Sequence, residues 1–153
     1  MTKTMIIMAG LPASGKSTYI KANLSDMAVV DCDQFKATIP GYDPKNPGAV
    51  HAQSKVMEKE AIYTNLANGH SFIYDTTATN SDKALALILE AQSLGYTVEV
   101  HYMNVSLQTA LARNAARERT VATEIILDKF EKINASMTIL KQYADRFVQV
   151  DND

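Results

Sequence analysis

The chain has 153 residues, 46% of them apolar and 21% charged, and a formal net charge of −2. A chain of this size buries roughly 70% of its unfolded surface, so it needs neither disulfides nor a structural metal to fold. The near-neutral charge excludes a protein that coats nucleic acid non-specifically, though not a local basic site. The single cysteine, Cys32, excludes an internal disulfide and suits a reducing, cytoplasmic compartment.

The opening MTKTMIIMAG holds an apolar run too short for a secretory or membrane-spanning segment, so no membrane association is expected. That run, residues 5–9, has the length of a buried strand. Residues 16–24 read as a helix and 28–31 (AVVD) as a second strand. Turn residues crowd only into 40–48 (PGYDPKNPG), read as an ordered loop inside one domain spanning 1–153. Residues 50–68 carry apolar side chains at Val56, Ala61, Ile62, Leu66 and Ala67 and stop at Gly69, which predicts a helix. Residues 72–75 (FIYD) are a third strand. Residues 82–94 are a helix capped by Asn80 or Ser81 and stopped by Gly95. Residues 97–103 alternate as a fourth strand, 107–116 and 124–143 are helical, and 147–150 read as a fifth strand. Strands alternating with helices imply a parallel sheet covered on both faces, with its site at the carboxyl ends of the strands. Gly10, Asp33, Asp75 and Asn104 fall at those ends.

Residues 10–17, GLPASGKS, match G-x-x-x-x-G-K-[ST] without a gap, directly after one strand and opening a helix. Glycines let backbone N–H groups turn inward as an anion nest, and the helix N-terminus adds positive potential. Gly10, Pro12, Ala13, Ser14, Gly15, Lys16, Ser17 and Thr18 are therefore candidate ATP contacts. Lys16 reaches the terminal phosphates, Ser17 offers a hydroxyl to Mg²⁺, and Thr18 is either a nucleotide contact or an ordinary helix residue.

Asp33 closes the second strand, where a carboxylate can accept the proton of an attacking hydroxyl. The alternative reading is the N-cap of a helix over 34–38, and the two roles are compatible. Alternation puts Asp31 and Asp33 on one side of an extended segment, with Asp31 structural and Cys32 a small packed residue. Asp75 positions Mg²⁺ through its waters or caps the turn at Thr76 and Thr77. Three of the chain's four arginines, Arg113, Arg117 and Arg119, fall within seven residues. Arg113 and Arg117 share a helix face. They are either a catalytic lid that clamps phosphate oxygens or a solvated basic face paired with Glu118 and Glu124.

With these motifs in place, the sequence resembles the kinase domain of phage polynucleotide kinases and, more distantly, the zeta-toxin kinases. The likeness runs from Ile6 to about Met137. It rests on the loop at 10–18, on Asp33, Phe35 and Lys36, on residues 75–80 (DTTATN), and on Arg113, Asn114 and Arg117 followed by 121–125 (VATEI). It implies a three-layer α/β/α phosphate-loop fold with a parallel sheet of four to five strands. It also implies a single kinase domain using ATP and Mg²⁺, with Asp33 as general base and Lys36 as a substrate-phosphate contact. Its lid favours Arg117 over Arg113 for the donor phosphates. The departures are Ala13 where the family has glycine, Ala122 where it has proline, and Lys36 where it has arginine. Residues 30–36 (VDCDQFK) also resemble the start of the zeta-toxin enzymes, which phosphorylate a nucleotide sugar.

The segment 40–55 follows the base and is expected to shape the acceptor pocket. Tyr42, Lys45, Asn46, His51 and Lys55 are each either substrate contacts or ordinary loop residues, with His51 the best single candidate, and Thr76 is a further candidate substrate contact. Lys16, Asp33 and Arg117 are the expected catalytic set. The expected acceptor is a nucleic-acid 5′-hydroxyl. Alternatives are a nucleotide sugar or nucleoside, a modified base in DNA, or no acceptor in a nucleotide-binding switch. No obligate protein partner is evident in the sequence.

Overall fold

The structure, a computed structural model, describes residues 2–117 and 120–153. Five strands form one parallel sheet: β1 (Thr4–Gly10), β2 (Ala28–Asp31), β3 (Phe72–Thr76), β4 (Thr97–Asn104) and β5 (Arg146–Asp151), in the order β2-β3-β1-β4-β5. The helices are α1 (Lys16–Asn23), α2 (Cys32–Thr38), α3 (His51–Asn68), α4 (Ser81–Ser93), α5 (Leu107–Ala115) and α6 (Thr123–Tyr143). A 3₁₀ turn at Pro47–Val50 leads into α3.

The alternation of β1 builds both faces of the sheet. Met5, Ile7 and Ala9 point into a core shared with α3, α4 and α6. Ile6 and Met8 point the other way, onto Ile20 of α1. The three-layer arrangement expected from the sequence is therefore present, with most helical cover on one side. A smaller cluster of Leu11, Val105, Ala110 and Ile126 ties α5 and α6 to the end of β1.

Element positions agree with the sequence pattern, with two informative differences. The helix after β2 begins at Cys32, not at residue 34, because Asp31 is its cap. Asp31 and Asp33 therefore do not sit on one side of an extended segment. Val56, counted among the apolar markers of α3, is 59% exposed, whereas Ser54, Glu58, Ile62 and Leu66 form the buried stripe. β1 lies at the centre of the sheet, and the chain leaves it first towards β2 and β3 and later towards β4. Ligand sites in such sheets form at the carboxyl edge beside this reversal.

Candidate active site

One cleft of about 1270 Å³ opens at that edge. It is lined at one end by residues 12–18 of the phosphate loop, and at the other by Asp33, Lys36, His51 and Lys55. Asp75 and Thr76 form its floor, and Arg113, Arg117 and Val121 form a wall.

The phosphate loop is built by local geometry. Gly15, at φ +100°, turns the chain into α1, so the helix N-terminus faces the cleft. Gly10 accommodates a buried Ser14: a Cβ at position 10 would stand 2.7 Å from Ser14 Oγ and 3.0 Å from the Met103 carbonyl oxygen. Ala13 adopts φ +65°, a left-handed conformation that costs a non-glycine residue about 1–2 kcal/mol. Lys16 Nζ donates to the Gly10 carbonyl at 2.9 Å and lies 3.8 Å from Asp75 Oδ1. Ser17 and Thr18 are exposed on the first turn of α1.

The acceptor end forms where β2 becomes α2. Asp31 Oδ1 accepts the Asp33 N–H at 2.9 Å, so Asp31 is the cap and Asp33 is a first-turn residue of α2. The alternative reading of Asp33 as the cap is thereby corrected. One turn on, Lys36 Nζ stands 3.5 Å from Asp33 Oδ1, although Lys36 is only 7% exposed. Cys32 is packed as expected, with Sγ 3.1 Å from Ser54 Oγ, and burial pushes its thiol pKa up. Burial, with Lys36 and Lys55 nearby, lowers the His51 pKa from its ordinary value and so favours the neutral imidazole. Lys45, Asn46, His51 and Lys55 all line the cleft, whereas Tyr42 is not among its lining residues. Tyr42 N–H donates to the Ile39 carbonyl at 3.2 Å, closing a turn ahead of Lys45.

The arginines divide. Arg117 donates to Asn114 Oδ1 at 3.0 Å and lines the cleft. Arg113 also lines the cleft, but its guanidinium donates backwards, to the carbonyls of Ser14 (3.4 Å) and Asn152 (2.7 Å). Arg119 and Glu118 lie outside the described residues.

Glu58 and Asn152 near the site are not singled out by the sequence, and Asn114 is named there only as part of the lid resemblance. Glu58, 2% exposed, accepts from Tyr74 Oη at 2.7 Å and lines the acceptor end. The signal was a carboxylate on the stripe that Ile62 and Leu66 define. Asn114, 6% exposed, accepts the Val121 N–H (2.9 Å) and donates to the Val121 carbonyl (2.7 Å), so it staples the turn carrying Arg117. Its signal was a polar residue one turn beyond buried Ala110. Asn152 donates to the Ser14 carbonyl at 3.0 Å, and nothing in its local sequence indicates this.

The zeta toxin family model matches residues 1–153. The chain belongs to the zeta toxin family. Of the two resemblances in the sequence, the family model matches the more distant one. The L-seryl-tRNA(Sec) kinase of Methanococcus maripaludis is 27% identical over 141 residues, covering 88% of this chain and 54% of that protein. A chain of the AvrRxo1-ORF1:-ORF2 complex, solved with ATP, superposes with a TM-score of 0.79 at 15% identity, covering 93% of this chain and 51% of that one. A chain of the Pnkp1/Rnl/Hen1 RNA repair complex gives 0.70 at 15% identity, covering 90% and 46%. This zeta toxin family chain thus spans about half the length of these relatives, and the solved structures share its fold. Among its described residues, no helix is long and apolar enough to cross a membrane.

Proposed function

We propose that this chain is an ATP-dependent kinase that transfers a phosphoryl group to a hydroxyl on an anionic acceptor. The observation that carries this reading is the single cleft holding the phosphate loop at one end and Asp33 with Lys36 at the other. Family membership and the ATP-bound structural relative support it. The backbone of residues 10–15 and the start of α1 receive the β- and γ-phosphates. Lys16 leaves the Gly10 carbonyl for the phosphates, and Arg117 neutralises the charge that builds on the transferred group. Asp33 accepts the proton of the acceptor hydroxyl.

The donor set also fits Mg²⁺. Ser17 offers one hydroxyl and Asp75 one carboxylate, 9% exposed, beside Lys16. A cation of this kind takes few protein ligands and completes its shell with phosphate oxygens and water. When bound, it supplies charge neutralisation at the β- and γ-phosphates.

Lys36, Lys45 and Lys55 line the acceptor end, Lys36 beside Asp33 and Lys55 beside Glu58, and these ammonium groups suit an acceptor bearing phosphate. The 5′-end of a nucleic acid has that chemistry and is the acceptor we favour. The second reading is a nucleotide-type small molecule, favoured by the zeta toxin match. Nothing in this mechanism requires a second protein. A relative solved as the AvrRxo1-ORF1:-ORF2 complex makes a partner chain worth testing. A cytoplasmic site of action is consistent with use of ATP. The deciding experiment is label transfer from γ-labelled ATP to 5′-hydroxyl DNA and RNA oligomers, nucleosides and nucleotide sugars. Label on oligomers supports the favoured acceptor, label on small molecules alone supports the second reading, and hydrolysis without transfer contradicts both.

A further inference from the structure

The Ser14–Gly15 peptide is gripped from behind by two side chains from distant parts of the chain. Asn152 Nδ2 donates to the Ser14 carbonyl at 3.0 Å, and Arg113 donates to the same oxygen at 3.4 Å. Arg113 also donates to the Asn152 carbonyl at 2.7 Å, which links the two donors. Asn152 is itself fixed, its N–H donating to the Asn104 carbonyl at 2.9 Å. On either side of it, Asp151 accepts from Asn104 Nδ2 at 2.9 Å and Asp153 from the Ser106 N–H at 2.6 Å. The fit to the loop is close: a Cβ on Gly15 would stand 2.4 Å from Asn152 Nδ2.

A trans peptide is planar, so its C=O and N–H point in opposite directions. This peptide is trans. Donors that hold the Ser14 oxygen at the rear therefore aim the Gly15 N–H the other way, towards the cleft that Ser14 and Gly15 line. Hydrogen bonds accepted by the carbonyl also polarise the amide and strengthen its N–H as a donor.

We propose that Asn152, acting with Arg113, is a positioning residue for the phosphates of ATP. It orients and strengthens the Gly15 N–H without touching the nucleotide. The proposal rests on the reading of residues 10–18 as the ATP site. It gives Arg113 a task distinct from that of Arg117.

The test is calorimetric titration of the full chain and its Asn152→Leu and Asn152→Ala variants with MgATP and with adenosine, which lacks phosphate. The Gly15 amide is followed by NMR in parallel. ATP affinity is expected to fall about fivefold to twentyfold, the effect of one lost hydrogen bond. Adenosine affinity is expected to stay unchanged, and the ATP-induced shift of the Gly15 amide proton to shrink. Unchanged ATP affinity overturns the proposal. So does an equal loss for ATP and adenosine with a wild-type Gly15 shift, since that describes a strap that only holds the fold. If the wild-type chain binds no ATP at all, the parent reading fails and this one with it. Should neither Asn152 variant fold, Arg113→Lys keeps the charge but loses the fork that spans Ser14 and Asn152. It is expected to show the same ATP-selective loss, and wild-type ATP affinity in it overturns the proposal.

Discussion

Asp31 Oδ1 accepts the backbone N–H of Asp33 at 2.9 Å, so the first aspartate of the pair sets the position of the second. The bond ends β2, starts α2 and places Asp33 in the first turn with Lys36 beside it. Asp31→Ala is expected to cost about 1 kcal/mol of stability through the lost cap. It should also lower phosphoryl transfer. Asp31→Asn should retain most of both, because asparagine caps as well as aspartate. Urea denaturation with a transfer assay checks this, and an Asp31→Ala chain of wild-type stability contradicts the capping role.

Glu58 and Tyr74 form a second coupled pair, buried under the acceptor end. Burial, with the Glu58 carboxylate next to it, pushes the Tyr74 pKa far above the usual tyrosine value, so Tyr74 stays a donor at working pH. In Tyr74→Phe, Glu58 keeps Lys55 at 3.4 Å and loses its shorter partner. The expected cost is about 1–3 kcal/mol. A double-mutant cycle with Glu58→Gln should give a coupling of at least about 0.5 kcal/mol, and strict additivity contradicts the pairing.

Ala13 holds φ +65° in the phosphate loop. Ala13→Gly removes a left-handed penalty at the cost of chain entropy, so a net gain of up to about 1 kcal/mol is expected. A lower unfolding midpoint in Ala13→Gly contradicts the strained conformation.

His51 carries a pH signature. Its folded-state pKa lies below the ordinary 6.5 because of burial, with Lys36 and Lys55 adding to the effect. Well above pH 6.5 folded and unfolded states both hold it neutral, so it has no effect on stability there. As pH falls below that value, the unfolded chain takes up the proton first and stability declines through the folded pKa. An NMR titration of the His51 ring should show a midpoint under 6.5. His51→Gln should lose less stability than the wild type over the same acid range. A midpoint at or above 6.5 contradicts the assignment.

The sheet and the phosphate loop were legible in the sequence because both are local. Apolar runs between turn residues marked the strands, and contiguous residues formed the loop. The acceptor end was only partly legible. Asp33, Lys36 and His51 could be named, but strand alternation misplaced Asp31, because a side-chain cap turned the chain into a helix two residues early. Tyr42 belongs to the segment expected to shape the pocket but is not among the residues that line the cleft. Glu58, Asn114 and Asn152 owe their roles to tertiary partners: Tyr74 on β3, the Val121 backbone, and the Ser14 carbonyl. No spacing in one sequence encodes such contacts.

The central claim is that Asp33 serves as the proton acceptor in a phosphoryl transfer from ATP bound at residues 10–18. Asp33→Asn keeps the shape of the side chain and removes its basicity. Transfer from γ-labelled ATP to the best acceptor of the panel should fall at least about a hundredfold, the lower range for losing a general base. Calorimetric ATP affinity should stay at the wild-type value. An Asp33→Asn chain that transfers label at the wild-type rate would contradict the account.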